Sequence, residues 1–224
     1  KQLFRIDCLK MPQVDTVDKI LDAAELLFAE KGFSETSLRM ITSKANVNLA
    51  AVNYHFGSKN ALIQAVFSRF LGPLSEIMEK ASVENGWGVD NIPSLEEILK
   101  LYTKSLLKIP TSHENGVAIF MRLMGLAYTQ SQGHLRRYLE AEYAKTFRLF
   151  LELIRLSTPG LTLKERFWRT QFTLGSVAFT MSSLQPLTEI LENSKSAKAN
   201  PEEVVELLVP FILAGLTAPP MDVN

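Results

Sequence analysis

Apolar residues recur at helical spacing along almost the whole chain, and this pattern restricts the fold more than any other feature. In the first strong segment they stand at i, i+3, i+4, i+7, i+10 and i+11, namely Val17, Ile20, Leu21, Ala24, Leu27 and Phe28. No segment sustains the period-two alternation that is typical of strands. The pattern therefore predicts an all-α fold.

Glycine and capping residues divide the amino-terminal part into short helices. Gly32 is expected to end the first helix, and Thr36 is expected to cap a second one. This second helix should end near Asn46, since asparagine tolerates the left-handed conformation of a tight turn. Asn48 is expected to cap a third short helix.

Further along the chain the helix starts are marked more clearly. Ser58 is expected to cap a fourth helix that ends or kinks at Gly72-Pro73. Three capping boxes follow, in which a capping side chain precedes a carboxylate by three residues: Ser94 with Glu97, Thr162 with Glu165, and Asn200 with Glu203. Helices should thus begin near 95, 163 and 201, and others are expected over 116–130 and 134–156. The sequence predicts about nine helices.

Two short helices joined by a tight turn, behind a stabilising first helix, are typical of a helix-turn-helix, although ordinary packing of short helices gives a similar pattern. The charge distribution favours DNA binding. The formal net charge is +0, yet residues 36–72 carry Arg39, Lys44, Lys59 and Arg69 and no acidic residue. Contacts to DNA phosphates require such basic side chains.

Three motifs in this region carry a family resemblance: TSLRMI at 36–41, ANVN at 45–48 and HFGSK at 55–59. At these spacings the chain resembles the TetR family of transcriptional regulators. Asn46, Asn48 and Asn53 replace the glycine, serine and tyrosine that are commonest in the family. The string 47–59, together with 119–123 and 131–140, is similar to a fatty-acid-responsive branch of the family.

The geometry of a helix-turn-helix assigns a role to each candidate DNA-binding residue. Thr36 and Ser37, at the start of the second helix, can hold a phosphate at the positive end of the helix dipole. Donors suited to gripping the DNA backbone follow at Tyr54, His55 and Lys59. The side chains expected to face base edges are Asn48, Leu49, Ala50 and Asn53, and Arg39 can reach guanine or phosphate.

Each of these roles has a structural alternative. Asn48 can serve only as a cap, His55 only as a packing partner of Phe56, and Arg39 only as a solvated surface charge. The sequence by itself leaves these alternatives open.

Residues 95–217 contain no nucleophile-base pair, glycine-rich phosphate loop or paired carboxylates, so we expect neither an enzyme nor a cofactor. The helix over 116–130 is apolar on almost every face and should be buried, as plain core or as a pocket wall. The resemblance implies an inducer cavity, whose expected lipophilic lining is Phe120, Leu123, Met124, Tyr128, Trp168, Phe172 and Met181. Arg122 either binds a carboxylate there or ties this helix to the DNA-binding domain.

The resemblance also implies a homodimer, formed by helices near 163–191 and 201–217, although these helices can equally pack within one chain. Gly175, Ala178 and Gly215 would let another helix approach closely, and Pro210 should bend the last helix. We expect the effector to change the separation of the two recognition helices through the fourth helix, and so to release operator DNA.

The expected division is an extension over 1–13, a DNA-binding domain over 14–60, a ligand-binding and dimerisation domain over 61–217 and a tail over 218–224. The predicted partners are double-stranded operator DNA, a lipophilic effector such as a fatty acid, and a second copy of the chain. A repressor of another lipophilic or aromatic compound, and a helical adaptor without DNA activity, are the alternative interpretations.

Cysteine and histidine usage bears on redox compartment and metal binding. Cys8 is the only cysteine, which favours a reducing cytosol, and the three histidines are far apart in sequence, so we expect no metal site. The chain contains no apolar run long enough to predict a membrane span. Met11 is the expected native start, which would make residues 1–10 an extension.

Overall fold

The computed structural model describes residues 16–88, 90–130, 132–193 and 200–220, and these residues form α-helices and no strand. The all-α prediction is confirmed, and the expected extension over 1–13 lies outside the described residues. The helices are α1 (Thr16–Glu35), α2 (Leu38–Ala45), α3 (Leu49–Phe56), α4 (Lys59–Glu84), α5 (Leu95–Leu107), α6 (Gly116–Thr129), α7 (Gly133–Glu142), α8 (Ala144–Ser157), α9 (Leu163–Ser182), α10 (Leu184–Asn193) and α11 (Pro201–Thr217).

The prediction of about nine helices is wrong, because two of the expected helices are each broken in the middle. The break between α7 and α8 falls at Tyr143 (φ −109°, ψ 14°), and that between α9 and α10 falls at Ser183 (φ −113°, ψ 15°). The second break has a cause in the sequence. Pro186 lacks an N–H and its ring would clash with the carbonyl of Ser182 in a continuous helix.

The predicted helix starts are confirmed with one exception. The three capping boxes are formed, and Asn48 and Ser58 cap α3 and α4. Asn46 has the left-handed conformation expected of the turn, with φ 53°. Thr36, however, does not cap α2. Its cap is Ser37, whose Oγ accepts a hydrogen bond from the amide of Met40 at 3.2 Å.

Neither Gly32 nor Gly72-Pro73, two positions at which a helix end was considered, ends a helix. At Gly32 the backbone has φ 83° and ψ 170°, yet helical structure resumes and α1 runs on to Glu35. Of the two possibilities expected at Gly72-Pro73, an end or a kink, the end is excluded, because α4 continues through Pro73 to Glu84. The predicted boundary between residues 60 and 61 therefore lies inside one helix, which joins the amino-terminal helices to the larger part of the chain.

A single core runs through the described residues. In the amino-terminal part it contains the buried rings of Phe28, Phe33 and Phe67, and the ring of Phe70 on α4 stacks on Phe120 of α6 at a centroid distance of 5.0 Å. The expectation that α6 is buried is confirmed only in part, since Phe120 and Leu123 are buried whereas Arg122 and Tyr128 are exposed. Among the described helices, none combines the length and apolarity needed to cross a bilayer.

Candidate nucleic-acid interface and effector cavity

The α3 helix presents one face to solvent and packs the other on the core. Val52 is fully buried and anchors the inner face, while Leu49, Ala50 and Asn53 are exposed at spacings that place them together on the outer face. Tyr54 extends this outer face and is 86% exposed. The helix thus offers amide and small apolar side chains on a surface that one major groove can accept.

Asn48 stands at the amino end of α3, where its Oδ1 accepts a hydrogen bond from the amide of Ala51 at 2.8 Å. Its role as a cap is therefore confirmed. Capping uses only the oxygen of the exposed side chain, and the two N–H donors of the amide remain at the surface. The DNA contact of Asn48 stays a prediction that is compatible with the cap.

The structure contradicts the expectation that the side chain of Thr36 holds a phosphate. It is 0% exposed, and its hydroxyl donates to the carbonyl oxygens of Gly32 at 2.8 Å and Leu27 at 3.0 Å. A buried hydroxyl with these partners cannot reach DNA. Ser37, which is exposed at the amino end of α2, keeps the predicted position at the helix terminus, and Arg39 is exposed on the first turn.

Lys59 is half-buried, and its Nζ donates to the carbonyl oxygen of Ser34 at 3.4 Å. Ser34 lies three residues before Ser37, so this contact places the ammonium group close to the amino end of α2. Both groups attract anions, the first through its charge and the second through its free amides. The structure thereby brings two predicted phosphate contacts to one region.

His55 is exposed at the end of α3 and contacts aromatic rings on both sides. Its ring lies 5.0 Å from that of Tyr54 and 6.4 Å from that of Phe56, with edge-on geometry in both pairs. The packing alternative is therefore real, but it leaves the imidazole at the surface. Its contact with DNA stays a prediction.

The fourth basic residue of the amino-terminal region, Arg69, faces inward and away from this surface. Its Nη1 lies 2.6 Å from an oxygen of Asp22 and 3.1 Å from one of Glu25, and its Nη2 lies 3.5 Å from Asp18. The local excess of positive charge counted from sequence is therefore too large, because α1 neutralises Arg69. The charges that remain for DNA are Arg39, Lys44 and Lys59.

Sequence reasoning did not predict this cluster of Arg69 with acidic residues. A signal for it was present, because Glu25 lies beside Leu21 and Phe28 on the apolar face of α1. Glu25 is 1% exposed, and burial raises the pKa of its carboxyl from 4.5 to about 7, with Arg69 opposing the rise. Its second oxygen lies 3.5 Å from Nε2 of His113. Asp22, Glu25 and His113 each offer one atom of the kind that binds metal ions, and these three atoms lie within 4.8 Å of one another. The guanidinium of Arg69 already supplies a positive charge beside Asp22 and Glu25.

The larger part of the chain contains a small apolar cavity of about 20 Å³ between α5, α8, α9 and α11. Tyr102 of α5 and Phe150 of α8 stack at 5.1 Å in its wall, and burial raises the pKa of the Tyr102 phenol to about 12. The remaining lining is Leu99, Thr103, Ile154, Thr170, Thr173, Leu174, Val177, Ile212 and Leu216. The space is about that of one water molecule.

None of the predicted ligand-binding residues lines this cavity. Trp168, Phe172 and Tyr128 are exposed by 50%, 66% and 65%, because they lie on the outer faces of their helices. The others pack elsewhere: Phe120, Leu123 and Met181 are buried in the core and Met124 is half-buried. The predicted residues therefore do not surround this cavity, and their contact with an effector stays a prediction.

The two predicted roles of Arg122, a carboxylate contact and a tie to the DNA-binding domain, stay predictions. Arg122 is exposed on α6 and does not line the cavity. A tie between α6 and the DNA-binding region does exist, but Gln130 at the end of α6 makes it, through a hydrogen bond from the amide of Phe33 to its Oε1 at 3.0 Å. Nothing in the sequence pattern distinguished Gln130 from the other polar residues of that turn.

The carboxy-terminal helices expose an apolar face to solvent. On α9, Trp168, Phe172, Gly175 and Phe179 are exposed at i, i+4, i+7 and i+11, and thus form one stripe. On α11, Leu207 and Phe211 are exposed by 74% and 67%. Among the described residues, a methyl group added to Gly175 or Gly215 would meet no neighbouring side chain or packed helix within 4 Å. Large aromatic side chains therefore border open notches on this face.

Comparisons with known proteins agree with this architecture. The model of the tetR family of bacterial regulatory proteins matches residues 20–66, and that of the tetracyclin repressor-like C-terminal domain matches 100–215, more than half of the chain. The probable HTH-type transcriptional regulator YttP of Bacillus subtilis is 41% identical over 70 residues, which are 31% of this chain and 34% of YttP. IcaR of Staphylococcus aureus, a negative transcriptional regulator of the biofilm operon icaADBC, is 26% identical over 67% of this chain and 84% of IcaR.

Solved structures share the fold over nearly the whole chain. A TetR-like transcriptional regulator from Rhodococcus sp. RHA1 has a TM-score of 0.58 at 18% identity, covering 93% of this chain and 100% of that one. The fatty acid degradation regulator FadR from Bacillus halodurans has a TM-score of 0.59 at 18% identity, covering 92% and 99%. With a helix-turn-helix in front and a matching carboxy-terminal domain behind it, the chain belongs to the TetR family of DNA-binding transcriptional regulators.

Proposed function

We propose that the chain acts as a dimeric repressor whose α3 helix reads an operator and which a lipophilic effector releases from DNA. The observation that carries the proposal is the exposed face of α3, where Asn53 and Tyr54 stand outward over the buried anchor Val52. Asn53 supplies the paired donor and acceptor that recognise adenine, and Ala50 offers a methyl group to thymine. Ser37 and Lys59 hold the flanking phosphates.

The exposed face of α9 and α11 supports a homodimer. Phe172, Phe179 and Phe211 expose between 64% and 67% of their surface in the single chain. An aromatic surface of this kind is typical of a protein interface, since exposed patches of contiguous apolar side chains are rare in monomers. We therefore assign the two-fold interface to the helices that sequence reasoning selected, with α9 in place of the longer helix expected over 163–191.

The position of the cavity supports coupling between effector and dimer. Thr170 and Val177 of α9 and Ile212 of α11 line it, and the opposite faces of the same two helices carry the exposed aromatic stripe. Ligand pockets usually have volumes of about 300–1,000 Å³. An effector that enters this cavity of about 20 Å³ must push its walls apart, and so must shift the helices that set the separation of the two recognition helices.

The chemistry of the lining favours an acyl chain. Thr103, Thr170 and Thr173 donate their hydroxyls to carbonyl oxygens of their own helices, so they leave mainly methyl groups for the cavity. We propose a long-chain fatty acid, in keeping with the resemblance to the fatty-acid-responsive regulator PsrA in segments 47–59, 119–123 and 131–140. The stacked pair of Tyr102 and Phe150 favours an aromatic effector as the second candidate.

Titration of the purified protein with oleate and with a planar aromatic compound, followed by thermal shift and by operator binding, tests the effector. Oleate should raise the melting temperature by mass action and weaken operator binding by the same coupling factor. Val177→Phe should abolish both responses by filling the cavity, whereas the exposed Arg122→Ala should retain both. Equal responses of V177F and wild type would refute this site.

A further inference from the structure

The kink in α1 is held from outside by the last turn of α6. The side chain of Gln130 accepts a hydrogen bond from the amide of Phe33 at 3.0 Å across 97 positions of sequence. Because a backbone amide can only donate, the Gln130 atom that faces Phe33 must be its oxygen. This bond joins the larger domain to the residue that immediately follows the kink.

Gly32 lies so close to the side chain of Gln130 that an added methyl group would clash with it. A methyl group at this position would lie 2.6 Å from Nε2 of Gln130, and the backbone has φ 83°, which side-chain-bearing residues rarely adopt. The positive φ favours glycine, and a methyl group here would also displace the amide of Gln130. The conformation of the kink and the position of the Gln130 side chain therefore depend on each other.

The segment after the kink leads directly into the DNA-binding surface. The hydroxyl of Thr36 donates to the carbonyl oxygen of Gly32, and the next residue, Ser37, caps α2. Lys59 donates to the carbonyl oxygen of Ser34 in the same segment. The conformation at Gly32 thus determines where the amino end of α2 and the ammonium of Lys59 lie.

The connection that runs from the kink through Gln130 to α6 continues to the cavity through α9. α6 packs along α9 and against α1, and α9 supplies Thr170 and Val177 to the cavity wall. A displacement of α9 therefore acts on α6, and through Gln130 on the kink. This route is separate from α4, whose Phe70 stacks on Phe120 of α6.

We propose that Gln130 is a positioning residue for operator binding, which fixes the kink at Gly32 and relays movement of α6 to α2. The proposal rests on the DNA-binding function and does not depend on which effector is bound. It predicts that the acceptor oxygen at position 130, rather than the volume of the side chain, sets the affinity for DNA.

Three variants of the full-length protein separate these properties. Gln130→Met keeps length and volume but has no acceptor for the Phe33 amide, Gln130→Glu keeps an acceptor, and Thr129→Ala is a neighbouring control on the exposed side of α6. Binding is measured to a duplex that the wild-type protein selects from random DNA, together with hydrogen exchange of residues 33–41.

Loss of one neutral hydrogen bond changes an equilibrium by roughly two- to tenfold. We expect Q130M to bind the selected duplex about fivefold more weakly, with faster exchange at Phe33 and in α2, while Q130E and T129A stay within about twofold of wild type. Equal affinity and equal exchange in Q130M and wild type would overturn the positioning role. Failure of the wild-type protein to select any duplex would instead count against the DNA-binding function itself.

Discussion

Replacement of Glu25 by glutamine should make the protein more stable than wild type at alkaline pH, with a difference that shrinks as the pH falls. Burial raises the pKa of Glu25 from 4.5 to about 7, and the side chain is 1% exposed. A folded-state pKa above the unfolded value means that the native state binds the extra proton. The stabilisation is therefore present below pH 4.5 and is lost as the pH rises through about 7.

The pKa shift of Glu25 sets the size of this effect. It corresponds to about 3 kcal/mol in all, of which about 2 kcal/mol is lost between about pH 5.5 and 8. The groups that face Glu25 are Asp18 and Asp22 on its own helix, Arg69 on α4 and His113 before α6. Because glutamine keeps the shape of the protonated carboxyl, Glu25→Gln removes the titration of one group and leaves those neighbours in place.

Urea unfolding of wild type and E25Q at both pH values, followed by circular dichroism at one protein concentration, measures the difference. The free energy of unfolding of E25Q relative to wild type should rise by about 2 kcal/mol from pH 5.5 to 8. Glu30→Gln, at an exposed position of the same helix, serves as the control and should show no such change. A difference that is constant with pH, or that favours wild type at pH 8, would refute the reasoning, since it would mean that the ion pair with Arg69 outweighs burial.

Three further substitutions test other parts of the account. Lys59→Ala should weaken binding to all duplexes and lower the salt slope of log K by about 1 for each bound protomer, thus by about 2 for a dimer, as measured by fluorescence anisotropy at several salt concentrations; an unchanged slope would exclude the phosphate contact. Gly32→Ala should lower the free energy of unfolding by at least about 1 kcal/mol, because of its positive φ and the clash with Gln130, and equal stability in urea would contradict this. Phe172→Asp should convert the dimer to a monomer in sedimentation analysis without loss of helix content, whereas an intact dimer would place the interface elsewhere.

Many helix starts, both in the DNA-binding region and beyond it, could be predicted because their signals are local. Asn48, Ser58 and the three capping boxes satisfy helix ends within three residues, so the sequence identifies them directly. Asn46 likewise shows its left-handed conformation through its residue type. Thr36 misled this reasoning because a threonine beside a helix start resembles a cap, and only the tertiary fold shows that the kink at Gly32 turns its hydroxyl inward.

The larger domain was harder to predict because apolar periodicity does not tell which neighbour covers a helix face. The aromatic residues Trp168 and Phe172 have the composition of a pocket wall, yet α9 turns them outward and lines the cavity with Thr170 and Val177 instead. Contacts across long sequence separations, such as that of Gln130 with Phe33, leave no local pattern. The break at Tyr143 has neither glycine nor proline to mark it.

The ratio of affinities for a selected operator and for an unrelated duplex of equal length, at about 150 mM salt, tests the central claim most directly. Specific DNA-binding proteins distinguish such duplexes by factors of about 10³ or more. We predict a ratio of this order for the wild-type protein, and a fall of at least about tenfold in Asn53→Ala with little change in binding to the unrelated duplex. Equal affinities for the two duplexes, or an unchanged ratio in N53A, would contradict the assignment of α3 as the helix that reads DNA.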